Sequence, residues 1–240
     1  MTAPRLGEAA RPGFFDLSRW AAIAPENYSR TLNGLQGAIA AAEPNQRAPL
    51  RMDLAQLTLA NGLGEETLVT LELAEADDPA LRSRLDYRIM TAAALVLAGR
   101  TNEALAALSD ETLLGSADAA IWRAIGAARV GDWSTARRST VMADAVVDAY
   151  PPVVQERFRL AAAEAAIESS DMQTASSMLE KLGGTSVSRE GAAKRIVLSG
   201  RIAQALGQID AAQGAYRTVI SGRDPAAAAE AEFRLTDMTY

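Results

Sequence analysis

Small and hydrophobic residues recur along this chain with helical spacing, and the spacing is interrupted at intervals. Five times a helical pattern stops at a small or turn-forming residue, and a small residue follows five positions later in the next helical segment. The interrupting residues are Gly62, Gly99, Gly131, Ser170 and Gly207, which lie 37, 32, 39 and 37 positions apart. A recurrence of this length is typical of stacked pairs of helices. The pattern therefore predicts five helical hairpins.

Residue size also recurs at fixed distances from these turns. A small residue lies eight positions into each first helix, at Ala55, Ala92, Ala124, Ala163 and Gly200. Such residues let two helices approach closely, and glycine at a turn adopts a left-handed conformation that most side chains resist. Nine positions after the turns, the residues are Leu71, Leu108, Thr140, Leu179 and Tyr216, of which only the threonine is not large and apolar.

Proline marks several boundaries between the predicted hairpins. Asp78-Pro79 and Asp224-Pro225 combine a residue that caps a helix with one that suits its first turn. Tyr150-Pro151-Pro152 separates the third hairpin from the fourth in the same way.

The turn glycines and the small residues five positions later resemble the tetratricopeptide repeat. This resemblance covers about residues 45–240, and Trp133 falls where the family often has an aromatic residue. It implies an all-α fold, a right-handed superhelical solenoid of antiparallel helix pairs. The bulky residue expected early in each first helix is mostly missing and the period is irregular, so the array is divergent.

The ends of the chain differ from its middle, which suggests three parts. Residues 1–13 are expected to be flexible, residues 14–46 to form an N-terminal cap with one helix from about Pro25 to Ala42, and residues 47–240 to form one continuous domain. That domain holds the five hairpins and one unpaired terminal helix, as in a segment of a longer array. The aromatic residues Phe14, Phe15 and Trp20 favour packing over recognition.

Composition narrows the possible chemistry. The chain contains no Cys and no His, which excludes thiolate nucleophiles, imidazole bases and nearly every zinc site. Aromatic residues make up 5% and β-branched residues form no runs, so strands are not expected. The formal net charge of -6 argues against nucleic acid as the main partner.

No pattern of reactive side chains indicates an enzyme. Lys181 and Lys194 lack a Ser-x-x-Lys motif and fit exposed helical positions. Gly62-Leu63-Gly64 lacks the Lys and the preceding strand of a phosphate loop, and Gly183-Gly184 fits a helix C-cap. The sequence therefore predicts no catalytic residue, no cofactor and no metal.

The resemblance to the repeat family also implies a binding surface, because the first helices of such hairpins line the concave face. Projecting the pattern places twelve residues toward that face: Gln56, Leu59, Asp86, Ile89, Val96, Ile121, Ile125, Arg157, Leu160, Glu164, Val197 and Arg201. The mixture suits a groove for an extended peptide or a helix of a partner. The alternative is that Ile89, Ile121, Ile125 and Leu160 pack between neighbouring helices, and both interpretations stay open. Five methionines, at 52, 90, 142, 172 and 178, are interpreted as core filling.

Three functions follow as hypotheses. The first is a non-enzymatic scaffold that binds a protein or peptide. The second is the helical region of a larger enzyme, such as a cell-wall lytic enzyme. The third is a self-associating module that dimerises through the terminal helix. No charge-free stretch is long enough to cross a bilayer, so no membrane insertion is expected, and a soluble chain fits a periplasm or a cytoplasm.

Overall fold

Helices account for most of the chain in the computed structural model, which describes Leu17, residues 25–183 and residues 188–238. No strand occurs within these ranges, as the scarcity of β-branched runs predicts. The proposed flexible segment 1–13 and the aromatic residues Phe14, Phe15 and Trp20 lie outside the described residues. None of the described helices is both long and apolar enough to cross a membrane.

Thirteen α-helices follow one another in the described ranges, joined by short connections. They are α1 Pro25–Ala41, α2 Pro44–Ala60, α3 Gly64–Asp77, α4 Leu85–Leu97, α5 Thr101–Leu108, α6 Glu111–Leu114, α7 Ala117–Arg129, α8 Trp133–Ala143, α9 Pro152–Glu168, α10 Met172–Lys181, α11 Arg189–Ala205, α12 Ile209–Ile220 and α13 Pro225–Asp237. Short 3-10 helices at Pro79–Ser83 and Val147–Ala149 precede α4 and α9. The sequence pattern predicts neither these two 3-10 helices nor α6.

The helices pack mainly against their neighbours in the chain. Within each pair, α2 packs on α3, α4 on α5, α7 on α8, α9 on α10 and α11 on α12. The second helix of each pair also contacts the first helix of the next, and successive first helices contact one another. Helix α1 lies against α2, and α13 lies against α11 and α12.

The turn inside every pair has the backbone conformation that the sequence predicts. The φ angles are 77° at Gly62, 80° at Gly99, 76° at Gly131, 59° at Ser170 and 72° at Gly207. Ser170 differs from the other four turn residues in not being glycine, and it is the one described non-glycine residue with a positive φ. Gly183 also has a positive φ, which confirms the predicted C-cap after α10.

The predicted small residues lie where the helices meet. Ala55, Ala92, Ala124 and Ala163 are completely buried. Gly200 lies under the ring of Tyr216, and a Cβ there would come within 2.6 Å of a ring carbon. Of the five methionines, Met52, Met90 and Met178 are buried, whereas Met142 is exposed, so core filling is wrong for that residue.

Acidic N-caps begin two of the second helices, Asp132 before α8 and Asp171 before α10. Asp171 precedes α10, where its carboxylate accepts hydrogen bonds from the backbone N–H of Thr174 at 3.0 Å and from Arg137 at 2.6 Å. Hydrogen bonds from the Thr174 side chain and backbone, together with that from Arg137, lower the pKa of Asp171 to about 2.

A pH titration of stability tests this cap. The folded pKa of Asp171 lies below the unfolded value of about 3.9, so its ionised form stabilises the fold above that pH and this contribution disappears as the pH falls toward 2. We expect Asp171→Asn to be less stable than the wild type at pH 5 and to approach it near pH 2, in urea unfolding followed by circular dichroism. A stability difference that stays constant over this range contradicts the prediction, and Asp237→Asn at the end of α13 is the control.

Candidate functional site

A cavity of about 660 Å³ opens between three consecutive first helices, α7, α9 and α11. Its walls are formed by Ile125, Ala128, Arg129, Gly131, Trp133, Val153, Glu156, Arg157, Leu160, Ala161, Glu164, Ser188, Glu190, Gly191 and Lys194. A concave space of this volume falls in the range of ordinary ligand pockets. It is larger than a second pocket, of about 230 Å³, near the starts of α2 and α4.

Apolar side chains form part of the cavity wall. Ile125 of α7 and Leu160 of α9 are buried in the fold but line the cavity, and the partly buried Val153 and Trp133 lie along it. Trp133 is the first residue of α8, so the turn at Gly131 places an aromatic residue in the cavity wall. These residues give the cavity a surface that an apolar side chain can cover.

Two arginines lie in the same cavity. Arg129, the last residue of α7, donates a hydrogen bond from Nη1 to the carbonyl oxygen of Val96 in α4. Burial lowers the pKa of Arg129, the positive charge of Arg157 lowers it further, and Glu190 acts in the opposite direction. Arg157 extends toward the turn of the first pair, since its Nη2 atom lies 3.7 Å from where a Cβ on Gly62 would be.

A buried carboxylate, Glu156, forms another part of the wall. The hydroxyl of Ser188 donates to its Oε2 atom at 2.9 Å, and that hydroxyl oxygen accepts from the backbone N–H of Gly191 at 2.8 Å. A Cβ on residue 191 would lie 2.3 Å from the Glu156 carboxyl carbon, so a larger residue there would displace the end of that side chain. The N-terminus of α11 therefore holds Glu156 in place.

Ion pairs join α9, α11 and α13 beyond the cavity. Lys194 lies 2.8 Å from Glu164, and Arg201 pairs with Glu168 and lies 3.7 Å from Glu164. Arg201 is also 3.8 Å from Glu230 of α13. Glu164 and Glu168 of α9 are thus engaged by cations of α11.

The predicted concave residues fall into three groups. Ile125, Arg157 and Glu164 line the large cavity, as does Leu160. Gln56 and Asp86 line the smaller pocket near the starts of α2 and α4, together with Asp53 and Arg84. The others are buried.

The buried group requires a correction. Leu59, Ile89 and Ile121 have no exposed surface, and Val96, Val197 and Arg201 are buried as well. For these side chains the packing interpretation applies, because first helices of successive pairs cover one another. Arg201 is held by the carboxylates of Glu164 and Glu168 within the chain.

Sequence reasoning missed several of the cavity residues. Arg129, Glu156, Ser188 and Lys194 line it, but the repeat pattern does not assign them to the concave face. The available signal is a charged residue within an otherwise small or apolar helical segment, as at Arg129 in α7. Ser188 carries the signal of an N-cap, and its hydroxyl accepts from Gly191 as such a cap does.

The side chains in the cavity carry charges of both signs. Carboxylates, guanidinium groups and an ammonium group converge on it, and Ser188 is engaged by Glu156. Within the described ranges no cluster of three or more potential acidic ligands could hold a metal ion. No protein-family model, no curated protein and no solved structure matches this chain.

Proposed function

We propose that this chain is a non-enzymatic scaffold that binds a segment of another protein in the cavity between α7, α9 and α11. The observation that carries the proposal is the cavity itself, which three consecutive first helices form with apolar walls and convergent charged groups. Such a combination is typical of sites that fix a ligand through a few polar contacts and gain affinity from apolar burial.

The proposal includes the finer architecture, a right-handed superhelical solenoid of antiparallel helix pairs similar to tetratricopeptide repeats. Its support is the repetition of one packing pattern, in which each second helix contacts the next first helix. The same left-handed turn also recurs inside all five pairs. In a stack of this kind each unit buries its apolar face against its neighbour, and the first helices are left to form a continuous inner surface.

Binding accounts for the cavity better than catalysis does. A general acid or base needs a carboxylate that can exchange a proton with a substrate. Here Ser188 donates to Glu156, and Lys194 and Arg201 engage Glu164. These contacts occupy Glu156 and Glu164 within the fold, and the third acid of the cavity, Glu190, is exposed at the start of α11.

A partner comparison with matched variants tests the proposal. Val153→Arg places a long charged side chain in the cavity, and Val141→Arg places the same side chain on α8 at a position that is 81% exposed. Partners captured from extract by the wild type are identified, and the affinity of a purified partner is then measured for all three proteins. We expect Val153→Arg to weaken binding by at least about ten-fold, since it occupies the space and desolvates a charge, and Val141→Arg to leave it unchanged.

Circular dichroism melting first establishes that both variants are folded. Equal affinity of Val153→Arg and the wild type contradicts binding in this cavity. Self-association through the terminal helix stays a separate prediction, and on α13 the residue available to a second copy is Phe233, whose ring is largely exposed.

A further inference from the structure

Arg157 is a positively charged side chain in the wall of the cavity. Among the described residues no carboxylate forms an ion pair with it, and its guanidinium takes part in no hydrogen bond. A guanidinium has five N–H donors in a planar arrangement that matches a carboxylate. This side chain is only partly exposed, on α9, facing the cavity.

Two of the three acids that line the cavity are already engaged by other residues. Glu156 accepts from Ser188 at 2.9 Å, and Glu164 lies 2.8 Å from Lys194. Glu190 is exposed at the start of α11, and its negative charge acts to raise the pKa of Arg129. Neither Glu164 nor Glu190 forms an ion pair with Arg157 in the described part of the structure.

A second positively charged side chain, Arg129, also favours a negatively charged ligand in this cavity. Arg129 lines the same cavity, and its pKa is lowered by the positive charge of Arg157, so the two guanidinium groups are close enough to repel each other. An anion that enters between or beside them relieves that repulsion, and it does so in a site partly screened from water, where charges interact more strongly.

The apolar part of the cavity wall restricts which other side chains a ligand can present there. Ile125 and Leu160 lie on the helices that bear the two arginines, and Trp133 also lines the cavity. A ligand that contacts an arginine here also covers apolar surface. Charge complementarity therefore selects an acidic side chain that has an apolar neighbour.

We infer that the partner segment in this cavity presents a side-chain carboxylate to Arg157 and packs an adjacent apolar side chain on Ile125 and Leu160. The inference rests on the proposed function and specifies the chemistry of the partner. The occupant is an acidic and apolar peptide segment.

Selection from a library of random peptides displayed on phage tests the inference without a known partner. The peptides are fused to the coat protein at their carboxyl ends, so the only carboxylates they offer are Asp and Glu side chains. The wild type, Arg157→Gln, Arg157→Lys and the control Arg217→Gln are used as targets after their folding is verified. Arg217 is exposed on α12 and bonds only to Gln213 of the same helix, so it provides a charge-matched control.

For the wild type and Arg217→Gln we expect selected peptides enriched in Asp or Glu next to a large apolar residue. A synthetic peptide of this type should bind Arg157→Gln at least about ten-fold more weakly, and Arg157→Lys should retain part of the affinity because it keeps the charge. Replacing the acid of that peptide by its amide should have the same effect as Arg157→Gln.

Three outcomes overturn the inference. In the first, the selected peptides are not enriched in acidic residues. In the second, they are enriched in Lys or Arg. In the third, an acidic peptide binds Arg157→Gln as tightly as it binds the wild type. If such peptides still lose affinity for Val153→Arg, the cavity binds peptides and only the inference about charge fails. If no peptide binds, or if every selected peptide binds Val153→Arg as tightly as the wild type, the inference and the proposed function fail together.

Discussion

Replacing Trp122 with alanine is expected to lower the free energy of unfolding by about 3–5 kcal/mol. Trp122 lies in the middle of α7 and has no exposed surface, and it is among the largest fully buried side chains of the described chain. Its removal leaves an empty space among tightly packed helices. These helices cannot move in to fill it without losing their contacts with other helices. Urea unfolding followed by circular dichroism measures the effect, because the variant also loses a fluorescent residue.

The control is Trp122→Phe. The indole Nε1 atom is buried and has no hydrogen-bond partner in the described part of the structure. Phenylalanine keeps most of the ring and removes that unpaired N–H, so we expect a loss of only about 1 kcal/mol. Equal losses for the alanine and phenylalanine variants contradict the assignment of Trp122 to the core.

Replacing Gly64 with alanine should destabilise the first hairpins by about 2–3 kcal/mol, the usual range for overpacking. Gly64 begins α3 and lies against the end of α4, where a Cβ would come within 2.5 Å of the Ala98 nitrogen and 2.7 Å of the Ala94 carbonyl oxygen. Both neighbours are backbone atoms, so α3 and α4 have to move apart. The free energy of unfolding in urea is again the measurement.

Gly37→Ala provides the matched comparison. Gly37 lies inside α1, and no neighbouring atom lies within 4 Å of the place that a Cβ would occupy, so the same substitution meets nothing there. Alanine is the better helix former, and we expect an increase in stability of about 0.5–1 kcal/mol. If Gly64→Ala is as well tolerated as Gly37→Ala, then α3 and α4 do not approach as closely as described.

The local features of the fold could be predicted from the sequence. The repeat pattern assigns Gly62, Gly99, Gly131 and Gly207 to turns, and all have the left-handed conformation. Ser170 is assigned by spacing alone and adopts the same conformation. Such assignments succeed because the preference of glycine for positive φ, and of small residues for close helix contacts, acts within a few residues of the chain.

The surface was harder to predict than the backbone. The concave projection brings Ile125, Arg157 and Glu164 to the cavity, but it also includes Leu59 and Ile89, which are buried. A helical repeat pattern gives the direction of a side chain about its own helix. It does not give how far the next helix covers that side chain, which depends on the distance and angle between helices.

The sequence by itself determined that the chain forms helices, where the helices of each pair meet, and which chemistry Cys and His cannot supply. Only the tertiary structure decided that Arg129, Arg157 and Glu190, which lie far apart in the sequence, line one cavity. It also decided that Arg157 has no ion-pair partner there among the described residues. The physical reason is range: backbone preferences act between residues close in sequence, whereas the balance of charges in a cavity depends on side chains that packing brings together from separate helices.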